Sequence, residues 1–165
     1  MALSPFNSSN QTYLERTPEK LVVEGYRYWT SGFDTGSIQP WELAWELYNE
    51  ILGPDDAGQA VTALSGFVRT LKACAACPLR SFPFQSRHLC IEECLTIGLL
   101  AGVQNGDDAA ELCLQHLSCP QRCHQVEAAA QVFGKTLLQL NQRLLPVPCH
   151  VITDVLNRQK PNRLH

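Results

Sequence analysis

Eight cysteines in 165 residues carry most of the chemistry this sequence offers, and their spacing is uneven. They fall as Cys74-x2-Cys77, Cys90-x3-Cys94, Cys113, Cys119-x3-Cys123 followed by His124, and Cys149 followed by His150. Two thiolates on a tight turn can share one metal ion, and two cysteines four apart on a helix lie on one face. Pairs from facing helices can therefore complete a tetrahedral site. On that ground Cys74, Cys77, Cys90, Cys94, Cys119 and Cys123 are candidate ligands for zinc or an iron–sulfur cluster, or candidate redox-sensing thiols. If the chain folds back at Asn105-Gly106, Cys90 is expected beside Cys119, and Cys94 beside His116 or Cys113, as a metal site or as two staples across a hairpin. The competing expectation is plain packing. Cys74 extends the row Leu64, Phe67, Leu71; Cys90 and Cys94 lead into Ile97 and Ala101; Cys123 precedes Val126 and Ala130. Free cysteine packs as a small hydrophobe, and the paired C-x2-C modules of a zinc ribbon are missing here.

Other patterns carry less. Cys77-Pro78 and Cys119-Pro120 have the form of an exposed haem thiolate followed by a turn, but both sit where a helix must stop or start. Asp34-Thr35-Gly36 has the letters of an aspartic-protease triplet, yet it joins two helical patterns, and its glycine serves the turn. Glu42, Glu46 and Glu50 form a solvated helix face, because no Glu-x-x-His accompanies them as a di-metal carboxylate site would require. His88, His116 and His124 fall near cysteines and supply the least implausible nucleophile–base pairs for a cysteine-dependent enzyme. No phosphate-cradling glycine loop, nucleophile elbow or HExxH motif occurs.

These residues are positioned by helices. Thr17-Pro18-Glu19 reads as a helix start, with a capping hydroxyl, a first-turn proline and a first-turn acid, and Val22, Tyr26, Trp29 and Phe33 follow at helical spacing. After the loop 32–36, a second helix from near Pro40 is expected to bury Trp41, Ala44, Trp45, Tyr48 and Ile51, and Gly53-Pro54 ends it. Asp55 or Asp56 is expected to cap a third helix with the cleanest i, i+3, i+4, i+7 pattern of the chain, from Ala57 to Leu71. Ser86 is expected to cap a fourth, apolar nearly all round and closed by Asn105-Gly106. Asp107 opens a short fifth. The sixth, with Val126, Ala130, Phe133, Leu137, Leu140 and Leu144 spaced as in a coiled-coil seam, is expected to be the longest, and residues 150–159 can form one more short helix.

The fold expected is therefore all-α, a single-domain helical bundle of about six helices. It comprises a poorly ordered arm over 1–16, the bundle over 17–158 and a tail over 159–165. Thirteen Lys+Arg against 16 Asp+Glu leave a net charge of −3 without a basic cluster, which argues against nucleic acid. No run is long and apolar enough for a signal sequence or a membrane span, so the expected location is cytoplasmic, where thiols stay reduced. Without convergent catalytic groups, the expected function is non-enzymatic protein–protein interaction, of a regulatory kind, with a protein partner or a second copy, through an aromatic surface of Tyr26, Tyr28, Trp29, Trp41 and Trp45. A metal-binding or redox-sensing bundle is the alternative, and a cysteine enzyme the remotest.

Overall fold

Three of the first four helices begin where a proline has its ring already set for the first turn and no N–H to waste there. In the computed structural model, which describes residues 14–158, these are α1 (Thr17–Thr35), α2 (Gln39–Leu52) and α3 (Pro54–Cys74). They are followed by α4 (Ile91–Asn105), α5 (Ala109–Leu117), a 3-10 turn Pro120–Arg122, α6 (Cys123–Gln139) and α7 (Cys149–Asn157). The all-α class is as the periodicity implies: seven α-helices and no strand among the described residues, with one isolated antiparallel bridge, Ala75 to Ser118. The arm expected over 1–16 falls outside the described residues except for its last three, and the tail 159–165 lies wholly outside.

Glycine and proline set most boundaries. Gly36, Gly53 and Gly106 hold φ of 69°, 87° and 69°, the left-handed region a Cβ disfavours, and each ends a helix. Gly53, not Asp55 or Asp56, occupies the cap of α3, and Arg16 occupies that of α1, one residue ahead of Thr17. Asp108, not Asp107, occupies the cap of α5, and Asp107 accepts the Ala109 N–H from just outside it at 3.1 Å. Two larger differences concern α4 and α6. Helix α4 starts at Ile91 with Cys90 at its cap, five residues beyond Ser86, because Glu93 reaches back to the Cys90 N–H at 3.0 Å and closes a capping box. Helix α6 stops at Gln139 and is shorter than α3 and α1, since the chain turns through Asn141 at φ 64°, and Leu144 fills the core from a loop.

The core forms where α3 packs along α6, with the Phe67 and Phe133 rings 5.8 Å apart, and where α4 lies against α5 and α6. Helices α1 and α2 form an antiparallel pair at the other side of α3. Tyr48 is fully buried between them and donates to the Leu21 carbonyl at 2.7 Å. Trp41 lies in the notch left by Gly32, stacked on Trp29 at 5.3 Å and donating Nε1–H to the Trp29 carbonyl at 3.1 Å. The expected aromatic surface is therefore mostly the inside of a helix pair: Tyr26 and Trp29 are buried and Trp41 half-buried, while Trp45, expected inside, is 41% exposed.

Polar side chains hold the irregular segments. Gln104 receives the Leu144 N–H at 2.7 Å and donates to the carbonyls of Gly134 and Gln142 at 2.9 and 3.0 Å, fixing the loop after α6. Glu19, fully buried in the first turn of α1, accepts the Leu145 N–H and the Arg16 guanidinium through Oε2, both at 2.8 Å, while its Oε1 has no partner among the described residues. Burial raises the carboxyl above its ordinary pKa of 4.5, against the pull of the Leu145 N–H and Arg16. The folded state then holds this proton more tightly than the unfolded chain does. The resulting stability is complete below about pH 4.5 and is lost as pH rises through the folded pKa. Glu19→Gln keeps an acceptor for Leu145 and should raise stability at neutral pH while flattening its decline from about pH 5 to pH 7. Denaturant midpoints at the two pH values test this, and an unchanged slope with a lower midpoint sinks it.

Candidate functional site

The fold sorts seven of the eight cysteines into two groups at different places, and Cys149 stands exposed at the first position of α7. The eight thiols are all free. Cys94 and Cys113 are buried in α4 and α5, and Cys90, half-buried at the cap of α4, donates its thiol to the Arg80 carbonyl at 3.3 Å. Burial pushes Cys90 and Cys113 each up to about 12, and Cys94, fully buried, well above the ordinary thiol value. Groups so shifted stay protonated at neutral pH and are poor nucleophiles and poor ligands. The Cys113 sulfur lies only 2.6 Å from where a Cβ on Gly98 would stand, so that glycine makes its berth. Cys94 and Cys113 do lie within electrostatic reach of each other, as the hairpin expectation has it. Cys119 has a different neighbour: its N–H donates at 2.8 Å to the carbonyl of Cys74, at the far end of α3.

Cys74, Cys77, Cys119 and Cys123 thus belong to one junction, where the end of α3 meets the α5–α6 turn. Arg122 reinforces it by donating to the Ala73 carbonyl at 3.0 Å. Cys74 is buried, Cys119 and Cys123 are half-buried and Cys77 is exposed. Among the described residues no three His, Cys, Asp or Glu converge in a way that could hold a metal ion. The histidines do not draw the cysteines into pairs: His116 is exposed with Nδ1 3.0 Å from the Leu112 carbonyl, and His88 sits in the loop before α4, its carbonyl taken by Arg27 at 2.9 Å. Glu42, Glu46 and Glu50 are exposed.

Sequence reasoning missed two features. The first is a buried ion pair: Arg27 Nε and Nη2 meet Glu93 Oε2 and Oε1 at 2.7 and 3.1 Å, with both side chains fully buried. Arg27 also donates to the carbonyls of Ser86 and His88, and Glu93 accepts the N–H groups of Phe82 and Cys90, so one pair holds the whole loop between α3 and α4. The signal available was an arginine one turn after Val23, with Glu24 one turn before it, inside a helix whose other stripe is apolar.

The second is an open groove of about 500 Å³ between α3 and α6. Its α3 wall is Gly58, Thr62, Gly66 and Thr70, a small residue at every fourth position, and its α6 wall is Ala129, Val132 and Thr136, with Phe67 at the floor. No lining residue is charged, in a chain where 18% of residues are. No family model, curated protein or solved structure matches the chain. Function must then be argued from this geometry. Val132 is 59% exposed on one wall, while a Cβ added at Gly66 on the other would touch nothing within 4 Å. Glycine inside a helix costs about 1 kcal/mol relative to alanine, so Gly66 leaves an open notch at the expense of helix stability. Trp45 lies beyond the upper end, its ring 3.8 Å from where a Cβ on Gly58 would be, and extends the uncharged face onto α2.

Proposed function

We propose that this chain is a non-enzymatic helical protein that works by protein–protein association, with the α3–α6 groove as its contact face and a second copy of the chain as its occupant. The observation that carries this reading is the pairing of a knob and a notch on one uncharged surface, Val132 beside Gly66. A twofold-related copy can place each Val132 in the other's notch. This is the self-complementarity an isologous dimer needs, and helices lined with small residues can approach closely enough to fill it. Thr62, Thr70 and Thr136 lie around it as neutral hydroxyls, so closing the face buries no charge. No described helix is long and apolar enough to cross a membrane, which leaves this face without that explanation.

Sedimentation velocity of the full chain over a wide concentration range tests the reading. A reversible dimer is expected, weakened at least about tenfold in Val132→Arg and in Gly66→Arg, each of which sets a charge in the contact; tenfold is about 1.4 kcal/mol. Both sites are exposed, so the variants should keep the helical circular-dichroism spectrum of the parent. A chain that stays monomeric at hundreds of micromolar, or a dimer indifferent to both substitutions, overturns it.

A further inference from the structure

We infer that Cys74 and Cys119 form an oxidisable dithiol, closed to an intramolecular disulfide by a hydroperoxide. The argument begins with the isolated bridge. Ala75 pairs antiparallel with Ser118, the Ala76 N–H donates to Leu117 at 3.1 Å and the Cys119 N–H donates to Cys74 at 2.8 Å. In that register Cys74 and Cys119 stand directly opposite. Opposed residues of an antiparallel pair have Cα atoms about 4.5 to 5.5 Å apart, inside the roughly 4.4 to 6.8 Å that a disulfide spans. The two backbones are held in this relation by more than the bridge: the Ser118 hydroxyl lies 3.5 Å from the Cys74 carbonyl, and Arg122 grips Ala73.

Each sulfur also reaches a glutamine of the segment that follows the bridge. Cys119 donates to Gln121 Oε1 at 2.7 Å and Cys74 to Gln125 Oε1 at 3.5 Å, the first glutamine in the 3-10 turn and the second in the first turn of α6. Cys119 is the more accessible thiol, and Cys74 is covered. The roles divide accordingly. The hydroperoxide oxidises the Cys119 thiolate to a sulfenic acid and leaves as its alcohol, with cleavage of the O–O bond. The Cys74 sulfur then attacks that of Cys119, the S–S bond forms, the S–O bond breaks, and the departing hydroxide takes up a proton as water. In total two thiols lose two electrons and two protons, and one hydroperoxide becomes an alcohol and water. The new bond ties the end of α3 to the residue that precedes the 3-10 turn Pro120–Arg122. The inference does not rest on the dimer reading, because it concerns one chain.

The test uses full-length protein purified under reducing conditions and then freed of reductant, treated with near-stoichiometric hydrogen peroxide, quenched with N-ethylmaleimide and digested without reduction for mass spectrometry. The expected result is a chain alkylated at six thiols where the reduced form takes eight, a Cys74–Cys119 linked peptide that dithiothreitol releases, and a melting temperature above that of the reduced form. Cys119→Ser should abolish the link, while Cys77→Ser and Cys123→Ser should leave it. A Cys119–Cys123 or Cys74–Cys77 link, a link between chains, sulfinic acid without a bridge, or thiols that react only after denaturation would each overturn the inference.

Discussion

Arg27→Met should lower the unfolding free energy by about 3 to 5 kcal/mol, the usual cost of leaving one member of a buried ion pair alone. For a chain of this length that corresponds to roughly 8 to 15 °C in melting temperature. The large effect has a structural reason. Glu93 would remain at the N-terminal turn of α4, fully buried, accepting N–H groups from Phe82 and Cys90 but without its 2.7 Å partner, and the carbonyls of Ser86 and His88 would lose their donor. Burial already raises the carboxyl of Glu24, which shares Arg27 at 3.2 Å, and removing the guanidinium would raise it further. Glu93→Leu should cost a comparable amount, and the double variant should lose less than the sum, since neither member of the buried pair is then left facing the other's empty place. Strict additivity in thermal or denaturant unfolding would mean that the two residues act separately, contrary to the geometry.

Gly102→Ala should be among the most damaging single methyl additions, costing about 3 kcal/mol. Its Cβ would stand 2.6 Å from the Ala110 nitrogen, 2.7 Å from the Ala110 Cβ and 2.9 Å from the Ala110 Cα. These are mostly backbone atoms of α5, so relief requires α4 and α5 to separate, not a side chain to turn. Gly98→Ala meets the Cys113 sulfur at 2.6 Å and the end of Ile152 at 2.9 Å, groups with some freedom, and should cost less. Gly66→Ala meets nothing and should stabilise by about 0.5 to 1 kcal/mol through helix propensity. Urea denaturation of the three variants should give that order; a neutral Gly102→Ala would show that α4 and α5 do not pack as closely as described.

The glycines show where sequence reading reaches its limit. Gly102, Gly98 and Gly66 look alike along the chain, each a small residue in a helical pattern, and their consequences differ because different atoms stand opposite them. The same holds for the cysteines. Their apolar rows correctly indicated packing for Cys74 and Cys94, both buried, but the expected contact between Cys90 and Cys119 was a count along an assumed hairpin. The real partner of Cys119 comes from the end of α3, through a one-bridge contact that periodicity does not encode. Trp45 was expected inside because its helix is amphipathic, yet α2 packs on α1 and α3 with Tyr48 and Ala44, which turns Trp45 outward.

The sequence by itself determined the all-α class, the order of the helices and most of their boundaries. Apolar residues repeating every three to four positions, prolines at first turns and glycines at φ near 70° to 90° act locally, within a few residues of themselves. Only the tertiary structure decided that Arg27 and Glu93, 66 residues apart, would form one buried pair. It alone decided that Cys90, Cys94 and Cys113 would be kept protonated by burial, and that α3 and α6 would leave an uncharged groove between them. Those outcomes depend on which helix faces meet. Electrostatic and packing energies at a contact are set by the partner across it, which spacing along a single chain does not specify.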